Sequence, residues 1–246
     1  MLMDLNADVG EGCGDDAALM PLLTSASITC GAHAGDDASM RRTVALALEE
    51  DVVIGAHVSY PDREHFGRRD LTLPSAKLTA EVLCQLQALS DIAASAGTRV
   101  RYVKAHGALY NRMAQDEDVA TVVIAAVRSF DSALPILTLP ESAAATAARR
   151  LGTQAVAEAF ADRAYTAEGK LVSRDQTGAV IIDEKTVAQR GVDIARAQCV
   201  QSIDGRSVRI HARSLCVHGD TPGAVALARA LRTALEQAGV QLRAFT

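Results

Sequence analysis

Four short apolar runs of this chain each end in a histidine, and this pattern constrains the fold more than any other feature. The runs are SITCGAH, VVIGAH, YVKAH and LCVH, which end at His33, His57, His106 and His218. In β/α barrels the catalytic groups lie where the strands end. Because imidazole titrates near neutral pH and binds metals, the pattern predicts an enzyme site at the mouth of such a barrel.

Seven apolar runs alternate with helical patterns along the chain. The predicted strands are MLMDLNADV, SITCGAH, DVVIGAHV, VRYVKAHG, LPILTLP, TQAVAEAFA and SLCVHGD, and the predicted helices cover 38–50, 74–96, 118–130, 141–151, 184–202 and 222–238. Apolar strands separated by helices favour a parallel sheet that helices cover. The 246 residues match the size of one barrel. We therefore predict an α/β fold, a seven-stranded parallel β/α barrel, in a single domain over residues 1–246.

Two segments interrupt the alternation of strands and helices. Residues 165–183 are predicted to form a long loop, and VQSIDGRSVRIHA is predicted to form a surface hairpin around the Asp204-Gly205 turn signal. An open nucleotide-binding sheet is disfavoured, because neither GxGxxG nor GxxxxGK[ST] occurs. The nearest candidate, GEGCG at 10–14, lacks the required spacing.

Charge and cysteine content exclude several classes of partner. The net charge is −5 and the basic residues are scattered, so neither nucleic acid nor a membrane surface is expected as a partner. The acidic start MLMDLNADVGEG does not resemble a secretory signal, and no apolar run is long enough to span a membrane. Five cysteines without a CxxC pair indicate reduced thiols. These features predict a cytoplasmic protein.

The predicted strand ends bring many polar side chains to one rim. We expect catalytic roles for Asp8, His33, His57, Lys104, His106 and His218. We expect substrate-binding roles for Asn6, Glu11, Asp36, Tyr60, Asn111, Glu158, Arg163, Arg174 and Asp220. Asp162 also falls on this rim, whereas His65 and His211 are expected to be bystanders.

Two chemical alternatives remain open at the rim. Asp8, His33 and His57 could hold a divalent metal with one position left for water, or the imidazoles could act without metal as general acid and base. Lys104 could stabilise an oxyanion. Alternatively, it could be a structural lysine in an inner layer that faces away from His106.

Arginines near the predicted long loop suit an anionic group. Arg163 lies just before that loop and Arg174 lies within it, and Arg binds carboxylate or phosphate through a two-pronged fork. Arg68, Arg69 and Asp70 could form part of a lid over an acidic substrate, or could be an ordinary solvated charge run.

Six ordered blocks of the sequence closely resemble the LamB/YcsF family. They are DLNADVGEG, ITCGAHAGD, IGAHVSYPD, VKAHGALYN, EAFADRAY and LCVHGDTPGA, which span residues 4–224. The resemblance implies an irregular seven-stranded TIM-like barrel of the glycoside hydrolase and polysaccharide deacetylase type. It also implies one component of an ATP-dependent 5-oxoprolinase, which opens the lactam of 5-oxo-L-proline to L-glutamate together with subunits B and C.

The reaction implied by the resemblance has two parts, phosphoryl transfer from ATP and opening of the lactam, which different subunits could carry out. Because the chain lacks a phosphate-cradling loop, we expect the partner subunits to supply much of the phosphoryl transfer from ATP, while this barrel holds the lactam and directs water attack. Two rival functions stay open: a metal-dependent deacetylase or amidohydrolase that acts alone on a small amide or amino sugar, and a non-catalytic lactam-binding subunit. A homo-oligomer is also open.

Overall fold

The protein forms a closed barrel of seven parallel strands. The computed structural model describes residues 1–246. The barrel strands are β1 (Leu2–Val9), β2 (Ser25–Thr29), β3 (Val53–Val58), β4 (Tyr102–Ala105), β5 (Ile136–Thr138), β6 (Ala155–Phe160) and β9 (Ser214–His218). They pair in this order, and β9 closes the ring on β1, with Asp8 opposite His218. All seven predicted strands and the barrel are confirmed.

Two further pairings lie outside the ring of seven. β7 (Cys199–Gln201) and β8 (Ser207–Arg209) form the predicted antiparallel hairpin. β10 (Gln241–Leu242), which the sequence analysis missed, pairs in parallel with the first residues of β1. The predicted long loop after β6 is irregular, with only the isolated bridges Arg163–Val180 and Tyr165–Leu171.

Helices connect the strands and cover the outside of the barrel. They are α1 (Asp16–Leu19), a 3₁₀ turn (Met20–Leu22), α2 (Asp37–Glu49), α3 (Ser75–Ser95), α4 (Gly107–Gln115), α5 (Glu117–Phe130), α6 (Ala143–Leu151), α7 (Glu184–Ala197) and α8 (Ala224–Gln237). None of them combines the length and hydropathy that crossing a bilayer requires.

The helix predictions differ from the structure at three places, and the first is the short α1 with its 3₁₀ turn, which no predicted helix covers. α4 was missed: it begins directly after His106, and Asp116 then caps α5 by accepting hydrogen bonds from the Asp118 and Val119 amides. The predicted helix at 184–202 is too long. α7 ends where Gln198 adopts a left-handed conformation, and the Ile210 amide then donates to the Gln198 carbonyl as the hairpin begins.

The barrel wall separates an apolar exterior from a polar interior. On β1, Leu5, Ala7 and Val9 belong to the main hydrophobic core beneath the helices. Because side chains alternate along a strand, Asp4, Asn6 and Asp8 point into the barrel, and all three are buried. The barrel interior is therefore lined largely by polar groups that need partners.

An aromatic plug closes the lower end of the barrel. Tyr102 points inward, packs with Leu137 and Val156, and meets Phe245 of the C-terminal tail at a ring distance of 5.1 Å. Its hydroxyl lies 3.0 Å from Ser27 Oγ. Gly55 on the neighbouring strand makes room for the ring, since a Cβ there would overlap with the Tyr102 ring carbons.

Gly55→Ala should therefore destabilise the protein by about 1–3 kcal/mol through overpacking, measured as a shift of the urea unfolding midpoint. In a Tyr102→Ala background the ring is gone, and adding Gly55→Ala should cost little. An equal cost in both backgrounds would show that the strand backbone, rather than the ring, requires glycine.

Candidate active site

A cavity of about 660 Å³ opens at the carboxyl ends of the strands. Its volume lies within the range of small-molecule sites. Ten of the residues predicted for the site line it: Asp8, Glu11, His57, Lys104, His106, Asn111, Arg163, Arg174, His218 and Asp220. The lining mixes charged residues with apolar ones such as Leu139, Phe160 and Ile210, so a small ligand with both polar and apolar parts fits it.

Three histidines surround a carboxylate at one wall of the cavity, which Glu11, His57 and His106 line while His33 lies buried behind them. Glu11 Oε1 lies 2.9 Å from His33 Nε2 and 3.4 Å from His106 Nδ1. His57 Nε2 lies 2.9 Å from His106 Nδ1, and the His33 and His106 rings stack at 3.8 Å. The four inner ligand atoms all lie within 4.8 Å of one another. We call this group the histidine cluster.

Burial sets the charge of the histidine cluster. It raises the pKa of Glu11 to about 7 and lowers the pKa of His33 to about 3. The pKa of His106 also lies well below its usual range, because burial and the neighbouring His33 and His57 disfavour the imidazolium. At neutral pH, His33 and His106 are therefore neutral, and each has a lone pair that can accept a hydrogen bond or bind a cation.

Lys104 forms the floor of the cavity as part of a buried ion network. Its Nζ lies 2.8 Å from Asp8 Oδ1, 3.0 Å from Glu158 Oε1 and 3.1 Å from Cys216 Sγ. Burial alone would lower the pKa of Lys104, but Asp8, Cys216 and Glu158 together raise it well above its usual range. The lysine stays charged and fixes the position of Asp8.

The expectation that Lys104 faces away from His106 is wrong. Residues two apart on a strand point to the same side, and both side chains point into the barrel. Asn6 and Glu158 lie beneath the cavity: Asn6 Nδ2 donates to Glu158 Oε1 over 2.8 Å and to Ser214 Oγ over 2.7 Å. Both residues support Lys104 from below. Neither lines the cavity, so neither is placed to contact a substrate directly.

The opposite wall carries an oriented histidine. His218 Nδ1 lies 3.0 Å from Asp162 Oδ2, and the His218 amide donates to the same oxygen. The imidazole stacks on Phe160 at 5.3 Å. A buried carboxylate that holds one ring nitrogen fixes the tautomer and directs the other nitrogen. The Asp162–His218 pair is thus suited to proton transfer.

Arginines and an aspartate surround the mouth of the cavity. The carboxylate of Asp220 pairs with Arg68 and lies 3.5 Å from Arg174 Nη1. Arg163 is buried and donates to the carbonyls of Val172 and Ala179, so it anchors the long loop while it lines the cavity. Arg68, considered in the sequence as part of a lid, does reach across the mouth.

Three sequence assignments do not fit this geometry. Asp36 is the N-cap of α2, where it accepts from the Ser39 amide, and it lies outside the cavity. Tyr60 is 1% exposed and packs in the main hydrophobic core. The metal set of Asp8, His33 and His57 does not form as a unit. Asp8 Oδ2 comes within 3.3 Å of His57, but its other oxygen binds Lys104, and Glu11 takes its place beside the histidines.

Sequence reasoning missed two residues of the site and assigned no role to a third. Ser59 binds His33 Nδ1 at 2.8 Å. Tyr110 lines the cavity, and its hydroxyl is buried without a hydrogen-bond partner. Asp162 is expected on the rim from the sequence, but without its task of orienting His218. Tyr110 precedes Asn111 in VKAHGALYN, one of the six blocks that resemble the family. Its membership in that block could have marked Tyr110 as a candidate site residue.

Known proteins resemble this chain over its full length. The LamB/YcsF family model matches residues 3–246. The first of the 5-oxoprolinase A subunits of Agrobacterium fabrum is 50% identical and covers 99% of this chain and 97% of its own. The 5-oxoprolinase A subunit of Streptomyces avermitilis is 52% identical, with 99% and 100% covered. The crystal structure of the lactam utilization protein from Thermus thermophilus superposes with a TM-score of 0.94 at 40% identity, with both chains fully covered. The chain therefore belongs to the LamB/YcsF family.

Proposed function

We propose that this chain is the lactam-hydrolysing component of an ATP-dependent 5-oxoprolinase, which converts 5-oxo-L-proline to L-glutamate together with subunits B and C. The observation that carries the proposal is full-length identity of 50–52% to relatives named as the A subunits of 5-oxoprolinases. The cavity supports it, because acid-base groups stand on two of its walls and arginines at its mouth. We place the assembly in the cytoplasm, because the five cysteines of this chain are free thiols and the cytoplasm keeps thiols reduced.

Hydrolysis of a lactam needs a base for water and an acid for the departing nitrogen. The histidine cluster is suited to the first task, since Glu11 has a pKa of about 7 and can take up a proton near neutral pH. His218, which Asp162 orients, faces the cavity from the other side and is suited to the second task. Water then adds to the carbonyl carbon, the C–N bond breaks, and the nitrogen takes up the proton to become the amine of glutamate.

The mouth of the cavity is suited to the carboxylate of the substrate. Arg174 lines the cavity and shares Asp220 with Arg68. A bound carboxylate could replace part of the Asp220 contact and gain a charge-assisted hydrogen bond. Lys104 lies deeper and acts through Asp8, whose pKa it and His57 hold well below the usual range against the effect of burial.

ATP supplies the driving force in this proposal. An amide carbonyl is a poor electrophile, and transfer of the γ-phosphoryl group of ATP to its oxygen, with release of ADP, would activate the carbon. Water addition and cleavage of the C–N bond would then leave an acyl phosphate, from which a second water releases inorganic phosphate. GEGCG leads into a four-residue helix, unlike the long helix of a phosphate-binding loop. We therefore assign most of the ATP binding to the partner subunits.

The test mixes the purified chain with 5-oxoproline and ATP, with and without subunits B and C, and measures glutamate. We expect glutamate only from the complete mixture. Cleavage of a small amide by this chain alone and without ATP would favour the deacetylase instead. Glutamate from subunits B and C without this chain would show that it is not required for the chemistry.

A further inference from the structure

The outer nitrogens of two cluster histidines face backbone carbonyls. His57 Nδ1 lies 3.3 Å from the Lys104 carbonyl oxygen, and His106 Nε2 lies 2.9 Å from the Phe66 carbonyl oxygen. A carbonyl can only accept, so each of these nitrogens carries the hydrogen. A neutral imidazole has one N–H. In the neutral form of each ring the inner atoms, His57 Nε2 and His106 Nδ1, are therefore lone pairs, and His57 Nε2 also lies 3.3 Å from Asp8 Oδ2.

The third histidine has the same arrangement through a hydroxyl. Ser59 donates its hydrogen to the Tyr60 carbonyl over 3.0 Å, so Ser59 Oγ accepts from His33 Nδ1. His33 Nε2 is thus also a lone pair. Thr29 Oγ1, 3.5 Å away, does not satisfy it, because that hydroxyl donates to the Ala34 carbonyl over 2.8 Å.

The inner atoms consequently form a set of acceptors that face one another. His57 Nε2 and His106 Nδ1 are 2.9 Å apart, and His33 Nε2 is 2.9 Å from Glu11 Oε1. Acceptors held this close in a buried site repel one another. A single added proton, on Glu11 or on one imidazole, satisfies one of these contacts. A cation between the four atoms satisfies all of them.

We propose that Glu11, His33, His57 and His106 bind one divalent transition-metal ion of the zinc type. Imidazole suits zinc and its neighbours, whereas sites for magnesium and calcium are built from oxygen ligands. Hydrogen bonds from the outer nitrogens to carbonyl or hydroxyl oxygens are the usual support of metal-binding histidines. The site differs from the sequence expectation, since Glu11 and His106 replace Asp8. With the ion bound, the ion and not a free imidazole or carboxylate would activate water. Metal binding can be measured without substrate, so its outcome does not depend on the proposed lactam chemistry.

The test uses the full chain, stripped with a chelator and dialysed, and titrates Zn²⁺ by calorimetry and Co²⁺ by absorption spectroscopy. We expect one ion per chain. Glu11→Gln and His106→Ala should each weaken binding at least about tenfold. Ser59→Ala, which leaves all four ligands in place, should weaken binding by roughly 10–100-fold, the usual effect of removing an outer partner. His65→Ala, a change in an exposed loop histidine, should leave the affinity unchanged.

Several outcomes would overturn the metal site. Absence of binding by the parent chain would mean that added protons alone, without a metal ion, relieve the repulsion between the facing acceptor atoms of the cluster. Unchanged affinity in Glu11→Gln and His106→Ala, with circular dichroism showing both folded, would place the ion elsewhere. A thiolate charge-transfer band with Co²⁺ would place it at Asp8, Cys216 and His218, the other group of converging ligands.

Discussion

Lys104→Met is expected to destabilise the protein by about 3–5 kcal/mol, the usual cost of removing one partner from a buried ion pair. Asp8 and Glu158 would lose their common cation in a part of the barrel where Lys104 is 2% exposed. Methionine fills a similar volume, so little of the loss comes from packing. The measurement is the free energy of unfolding in urea at neutral pH.

The matched control is Lys77→Met on α3, where the lysine is exposed. This change should alter stability by less than about 0.5 kcal/mol. Adding Glu158→Gln to Lys104→Met should recover part of the loss, because one of the two unpaired carboxylates is removed. A cost for Lys104→Met no larger than that of Lys77→Met would show that the network contributes nothing to folding.

His57→Ala and His106→Ala are each expected to reduce glutamate formation by the complete assembly at least about 100-fold, the usual contribution of a general acid or base. Each change removes an imidazole that lies within 3.9 Å of Glu11 Oε1. Both variants should bind subunits B and C normally, since the two side chains are buried in the cavity wall. The measurement is the initial rate of glutamate release with saturating ATP.

His65→Ala provides the comparison for these variants. His65 is an exposed loop residue that pairs with Asp62 and does not line the cavity, so its loss should leave the rate nearly unchanged. Circular dichroism and thermal melting show whether the variants fold. Near-normal turnover by folded His57→Ala and His106→Ala would contradict the site assignment and favour a subunit that only binds the lactam.

The barrel could be predicted from the sequence because its signal is repeated and local. Each strand is a short apolar run, four of these runs lead to a histidine, and parallel strands bring their carboxyl ends to the same edge. His33, His57 and His106 could therefore be placed together from the sequence. The missed helix α4 lacks that signal, because GALYNRMAQ mixes glycine, asparagine and apolar residues and follows the strand without a linker.

The partners within the site could not be predicted in the same way. Glu11 lies beyond the end of β1 in a glycine-rich loop, and its position beside His33 depends on the path of that loop. Asp36 was misplaced because helix capping and substrate binding call for the same residue type, and Asp36 serves as the cap. Tyr60 was misplaced because a tyrosine directly after a strand can turn into the core as readily as into a pocket.

The alternation of apolar and polar side chains across the barrel wall has a consequence for how this sequence can diverge. Outward positions such as Leu5 and Val9 pack against helices, and exchange among aliphatic residues there usually costs less than about 1.5 kcal/mol. Inward positions such as Asp4 and Asn6 share hydrogen bonds with several strands, so replacing one leaves its neighbours unpaired at a cost of about 1–3 kcal/mol each. Among homologues, the outward-facing strand positions should vary and the inward-facing positions should stay nearly invariant. An alignment of distant members would show this as conservation at every second residue of each strand.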